Sequence, residues 1–303
     1  MRQMSRRPEW GRRRAVAAVG VVLFVSQLAA AEGRPPSAAA TRATPSSQGA
    51  PAVARSARDV ARILGDYEQA AGGRRALLAI RSLIASGAIQ RRQDSSPRSF
   101  SIRFLRPASV QSVEVMPAGT IDLARISTLD GSRAWSSRSA LTGGDPLGSA
   151  GWDAERKAQV QSRRLALELA LGIVPSLLAE GNVVTFSLGD SVRDEASGKE
   201  LDHLLVADEA GYFGGVYFDT QTHLPARIDF SFIATMGRPS EVTRRTVVGD
   251  HRKVSGLVLP FSLVRGGTRI QISAYERDQP LSRDLFERVT SEAGLRRIVD
   301  AAR

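Results

Sequence analysis

The chain has no cysteine in its 303 residues. That absence removes disulfides, thiolate metal sites, iron–sulfur clusters and cysteine nucleophiles together. It also removes acylation at a cysteine after an export signal. Histidine is scarce: His203, His223 and His251 stand on separate segments, with no close pair of the kind that holds zinc. Lysine occurs only at 157, 199 and 253, so the net charge of +11 is carried almost wholly by arginine. No phosphate-cradling loop, dinucleotide fingerprint or G-x-S-x-G elbow is present. Neither a cofactor nor a metal is expected, and no catalytic residue is assigned.

A strongly basic chain invites a nucleic-acid reading, so the position of the charge matters. Arg2, Arg6, Arg7, Arg12, Arg13 and Arg14 precede an apolar run from Ala15 to Val25, and Ala29, Ala30 and Ala31 follow. This is the pattern of a secretory signal over residues 1–31. Its apolar part is short of the roughly 20 residues of a membrane-spanning helix, which favours cleavage over anchoring. The segment holds five of the eleven charge units, and from Ala57 onward the net charge is only +4, with signs interspersed. Nucleic acid is therefore not an expected partner, and the protein is expected in the periplasm or secreted.

Residues 32–56 are rich in Ala, Pro, Ser, Thr and Gly and lack apolar periodicity, which predicts a disordered tether. Residues 57–303 remain as one domain. Val60, Ile63, Leu64, Tyr67 and Ala71 follow helical spacing, with Ser56 as the expected cap and Gly72-Gly73 as the stop. Phe100, Ile102 and Phe104 then alternate with polar neighbours, as do Val113 and Val115, and Ile121 and Leu123. Asp130-Gly131 signals a hairpin into a strand carrying Trp135. A long helix follows, with Val160, Leu167, Leu171, Val174 and Leu178 on one stripe. Leu165, Leu169 and Ile173 widen that stripe beyond the needs of one sheet face. Gly172 and Pro175 should break or kink it near its end. Seven more alternating segments run from Val183 to Tyr275, with turn signals that include Gly249-Asp250. About eleven strands in a meander are expected, each with one face in water.

The chain resembles the LolA/LolB-like family of outer-membrane lipoprotein-sorting proteins, the periplasmic lipoprotein carriers. Tyr67–Gly73 with Leu77, Ile80, Ser82 and Gly87 looks like that family's opening helix and first strand. Asp130-Gly131 with Trp135 looks like its mid-sheet hairpin. Tyr217–Thr220 followed by Leu224–Arg227 is similar to a second hairpin, and Gly249–Pro260 to the turn before a Gly-x-x-Leu-Pro strand. Leu281 and Phe286 match a closing pair. The resemblance implies a mostly β (α+β) fold: an unclosed, curled antiparallel β-barrel with helices as a lid over an apolar interior.

The function implied is non-enzymatic binding of a lipid or lipoprotein acyl chain, with transient contact at a membrane surface. The alternative on the same fold is a protein-binding envelope sensor or scaffold. Phe104, Val115, Ile121, Leu123, Trp135, Leu167, Leu171, Val174 and Leu178 are the candidate lipid-binding residues. Periodicity leaves open whether they line a cavity or a solid core. Burial of an acyl chain is favourable by about 0.8 kcal/mol per CH₂, so such a site needs no catalytic group. A hydrolase reading could use His203 with Asp202 and Ser187 or Ser191. Adjacent strand residues face opposite ways, so Asp202 and His203 should not share a site.

Overall fold

The computed structural model describes residues 49–302, apart from 119–120, 132, 138–151, 210, 235–239 and 290. Helix α1 spans Gly49–Ala70 and α2 spans Arg74–Leu78. Five strands follow: β1 (Ser82–Arg91), β2 (Arg98–Leu105), β3 (Ser109–Ala118), β4 (Ile121–Asp130) and β5 (Arg133–Ser137). Helices α3 (Trp152–Ile173) and α4 (Pro175–Glu180) come next. The remaining strands are β6 (Thr185–Leu188), β7 (Val192–Arg193), β8 (Glu200–Asp208), β9 (Gly211–Asp219), β10 (Pro225–Ala234), β11 (Ser240–Val254), β12 (Leu257–Arg265) and β13 (Thr268–Arg277). A 3-10 turn (Arg283–Phe286) and α5 (Glu292–Asp300) end the order.

All thirteen strands form one sheet in the order β5-β4-β3-β2-β1-β13-β12-β11-β10-β9-β8-β6, with β7 also on β8. Every pairing is antiparallel. The sheet is not closed, because β5 and β6 are its two ends. This is the unclosed, curled antiparallel architecture expected from the resemblance. The connectivity differs from a single meander: two meanders are joined where β1 pairs with β13, the first strand beside the last.

The wide apolar stripe of α3 has its explanation in the curl. The helix packs on β4 and β5 at one end of the sheet and on β10 toward the other. A sheet that reaches a helix from two sides buries it nearly all round. From Ser162 to Leu178 only Leu165 keeps appreciable exposure. The helix stops at Ile173, and Pro175 opens α4 as its first residue, as the sequence predicts.

The residues just after α1 approach the start of β12, where the β12–β13 pairing is incomplete. β12 and β13 pair only over Ser262–Arg265 with Thr268–Gln271. Beyond that they are bridged by Gln271, whose Nε2 donates to the Phe261 carbonyl at 2.9 Å, and by the Tyr275 hydroxyl on the Pro260 carbonyl. The Val258 amide donates to the Ala71 carbonyl at 3.0 Å. Gly72 makes this approach possible: its φ is 118°, and a Cβ there would sit 2.3 Å from the Gly256 carbonyl oxygen.

Three local readings are corrected. Helix α1 begins at Gly49, so Ser56 lies within it rather than capping it, and the helix reaches into the segment read as tether. Pro51 is tolerated because it falls in the first turn. Gly249-Asp250 is not a turn; β11 runs through it and keeps one register against β12 from Thr246 to Val254, although Asp250 has φ 54°. The real turn is Ser255-Gly256, both with positive φ, the geometry of a two-residue hairpin. Finally, the outer face of β2–β5 is not in water. The 3-10 turn and α5 cover it, making a second core of Val113, Val115, Ala124 and Ile126 against Leu285, Phe286, Leu295, Ile298, Val299 and Ala302.

Candidate functional site

The nine residues predicted to line one apolar interior fall into three groups. Phe104, Leu167, Leu171, Val174 and Leu178 do come together, in the core between α3 and the inner face of the sheet. Val115 and Trp135 belong to the second core, on the other face, so they cannot line the same space. The register gives the reason: Phe104 pairs with Val110, and Val115, five residues along the same strand, points to the opposite side. The side chains of Ile121 and Leu123 lie outside the described residues. Leu167, Leu171 and Leu178 are 0 % exposed, so no water-sized space touches them.

Helix α3 is also fixed by charge. Glu168, 1 % exposed, takes Arg244 of β11 at 3.1 Å and Arg265 of β12 at 2.7 Å. Arg163 donates to the Val183 carbonyl at 3.0 Å and the Gly131 carbonyl at 3.3 Å. Ser162 bonds Ser136 of β5 at 3.1 Å. These contacts join α3 to β5 at one end of the sheet and to β11 and β12 within it. A lid that swings aside would have to break them.

A polar cluster stands on the outer face of β8–β11. The His203 ring stacks on Tyr217 with centroids 4.1 Å apart and an interplanar angle of 6°. Arg227 lies over the Tyr217 ring at 3.9 Å. Its guanidinium is held by Asp229, with Nε–Oδ1 at 3.1 Å and Nη2–Oδ2 at 2.7 Å. Arg245 adds Nε–Oδ1 at 3.2 Å to the same carboxylate. A Cβ on Gly215 would meet His203 Nε2 at 2.2 Å, and one on Gly189 would meet Nδ1 at 2.3 Å. The two glycines make a slot for the imidazole. Asp202 faces the other way, where its carboxylate takes Arg62 at 3.5 Å and the Ser191 hydroxyl at 3.3 Å. Thus His203 and Asp202 do not share a site. Arg244 and Arg245 likewise split between the two faces, and Arg252 pairs with Asp250 at 2.6 Å. Among the described residues no cluster of His, Asp and Glu could hold a metal.

Burial, followed by the nearby Arg227 cation, lowers the His203 pKa below its ordinary 6.5, with the Asp190 carbonyl, Asp229 and Asp190 acting the other way. Burial also lowers His251. A base whose folded pKa is depressed binds its proton more readily in the unfolded chain. Stability is therefore full above about pH 6.5 and should fall as pH drops below it, through the folded pKa values. Denaturant midpoints measured between pH 7.5 and 5 should show this fall, and His203→Gln should flatten part of it. A slope unchanged by both His203→Gln and His251→Gln would show that neither ring contributes.

No family model and no curated protein matches the chain. Solved structures do resemble it. A DUF1329 family protein from Desulfovibrio piger is 14% identical with a TM-score of 0.38, over 74% of this chain and 97% of that one. A LolA superfamily protein from Nitrosomonas europaea is 10% identical with a TM-score of 0.38, over 68% and 89%. The MucA/MucB complex of Pseudomonas aeruginosa contains a chain 14% identical with a TM-score of 0.24, over 74% and 60%. Likenesses of that depth say nothing about what this chain binds.

Proposed function

We propose that the chain is an exported, non-enzymatic binding protein of the cell envelope, and that it recognises a protein through its surface rather than enclosing an acyl chain. The observation that carries this reading is the filled interior: Leu167, Leu171 and Leu178 of α3–α4 occupy the concave side of the sheet with no exposed surface. An acyl-chain carrier needs that volume empty or readily emptied. Burying three leucines there favours the filled state by about 1.5–3 kcal/mol each. The export signal read from residues 1–31 and the family resemblance support the envelope location.

A carrier remains the second reading, favoured by a surface groove between α1 and α4. It has a volume of about 270 Å³ and includes Ala61, Leu64, Gly65 and Ala179 among its lining. Native mass spectrometry of protein exported with its own signal, with a fluorescent fatty-acid titration, separates the two. The proposal expects lipid-free protein, no saturable probe uptake, and a stoichiometric protein partner that survives delipidation. Stoichiometric co-purified lipid would overturn it in favour of the carrier.

A further inference from the structure

The outer face of β2–β5 holds its cover by the main chain, twice at the 3-10 turn and once at α5, more than by one particular sequence. In this structure it is covered by the strap of residues 281–302. Three polar side chains from three different strands reach that strap, and each spends its donor on the main chain. Gln111 donates to the Leu285 carbonyl at 2.7 Å, Trp135 to the Phe286 carbonyl at 3.0 Å, and Arg103 to the Ile298 carbonyl at 3.1 Å. Any sequence with the same backbone offers those carbonyls. The floor between them is aliphatic, and it asks only for apolar residues at helical spacing, met here by Leu295, Ile298, Val299 and Ala302.

Arg103 does not fit a groove made for this occupant alone. It is 0 % exposed. One Nη bonds the Gln111 side chain at 2.8 Å, the other bonds the Ile298 carbonyl, and Nε has no partner among the described residues. No carboxylate of the described residues pairs with it, and burial alone pulls its pKa down to about 10. A buried cation without a counter-ion is costly. The carbonyl end of α5 offers only a fraction of a negative charge. Ala302 lies one helical turn beyond Ile298, so position 302 stands above the carbonyl that Arg103 holds.

We propose that this groove is the docking site for an amphipathic helix of a partner protein, one that carries a carboxylate at the position where the strap has Ala302, and that the strap fills the groove until such a helix displaces it. The inference rests on the protein-binding reading and names the chemistry of the partner. Displacement is feasible because α5 has only nine residues, Glu292–Asp300, too few to be stable as a helix away from the sheet. The strap is joined to β13 by a short link containing Pro280. The tethered strap competes at an effective concentration in the millimolar range. The carboxylate gives the incoming helix the advantage it needs over that competitor, because it neutralises a charge that the strap leaves buried.

The test uses the full chain and two labelled synthetic peptides of residues 281–302, each amidated at its C-terminus, one with Ala302→Glu and one with Ala302→Gln. Binding is read by anisotropy and strap release by hydrogen exchange at residues 285–299. The glutamate peptide should bind about 100-fold more tightly than the glutamine peptide, and the chain's own strap should lose protection as it binds. Arg103→Met in the chain should bring the two peptides level; the comparison on the unaltered chain stands even if that variant folds poorly. Equal binding of the two peptides, binding with the strap still protected, or no binding of either overturns the proposal. A native partner that is captured equally by Arg103→Met protein would overturn it too, while leaving the protein-binding reading in place.

Discussion

Glu168→Ala should cost about 3–5 kcal/mol of unfolding free energy, the range for removing one member of a buried charged set. The carboxylate is the common partner of Arg244 and Arg265, and it sits at 1 % exposure on α3. Its removal leaves the two guanidinium groups without the charge they share. Glu168→Gln keeps the shape and should lose less. Because Glu168 is buried and its two arginines are only partly exposed, the loss should change less between low and high salt than for a surface pair. Thermal and denaturant unfolding measure the total, and hydrogen exchange along α3 locates it. Wild-type stability in Glu168→Ala would mean that the helix is held by packing alone.

Leu171→Ala tests the packing in turn. A fully buried leucine truncated to alanine typically costs about 2–5 kcal/mol, and more where the surroundings cannot collapse. Here they are stiff: Leu171 has no exposed surface, and the neighbouring Gly172 already approaches Ile228, whose Cδ1 is 2.8 Å from where a Cβ would be. The variant should keep its denaturant m-value, lose midpoint, and gain a dry cavity able to take a small aromatic or xenon. A loss below about 1 kcal/mol would show that α3 already had room around it. That outcome would restore the carrier reading as the better one, so the two substitutions together bear on function as well as stability.

Much of the architecture was legible because it is local. The alternation at Phe100, Ile102 and Phe104, the Asp130-Gly131 turn, and the Gly172 and Pro175 stop all act over a few residues, and all lie where they were read. The excess width of the α3 stripe was a true signal of a helix buried on more than one side. What could not be read depends on partners distant in the chain. Val115 looked like an inner residue because its strand alternates, but alternation gives two faces without saying which is inside. The answer came from α5, nearly two hundred residues away, which makes the supposed water face of β3 a second core. Trp135 was misplaced for the same reason. Asp250 misled differently: a residue at positive φ after a glycine reads as a turn, yet β11 passes through it without losing its register against β12. The slot for His203 could have been suspected from Gly214-Gly215 within a strand, but not its second wall at Gly189, which comes from another segment.

The pairing of β1 with β13 bears on how the chain reaches its native state. Leu83 lies opposite Arg277, and Arg91 opposite Thr268, so the seam at the middle of the sheet joins residues almost the length of the domain apart. Closing so long a loop costs entropy before any contact rewards it, and folds dominated by such pairings are slow. Each meander can form early on its own, but the two cannot register until β13 is available. During synthesis the first half would therefore wait, with β1 as an open edge, for nearly the whole domain to emerge. The last strand to be made therefore sets when the two halves of the sheet can join.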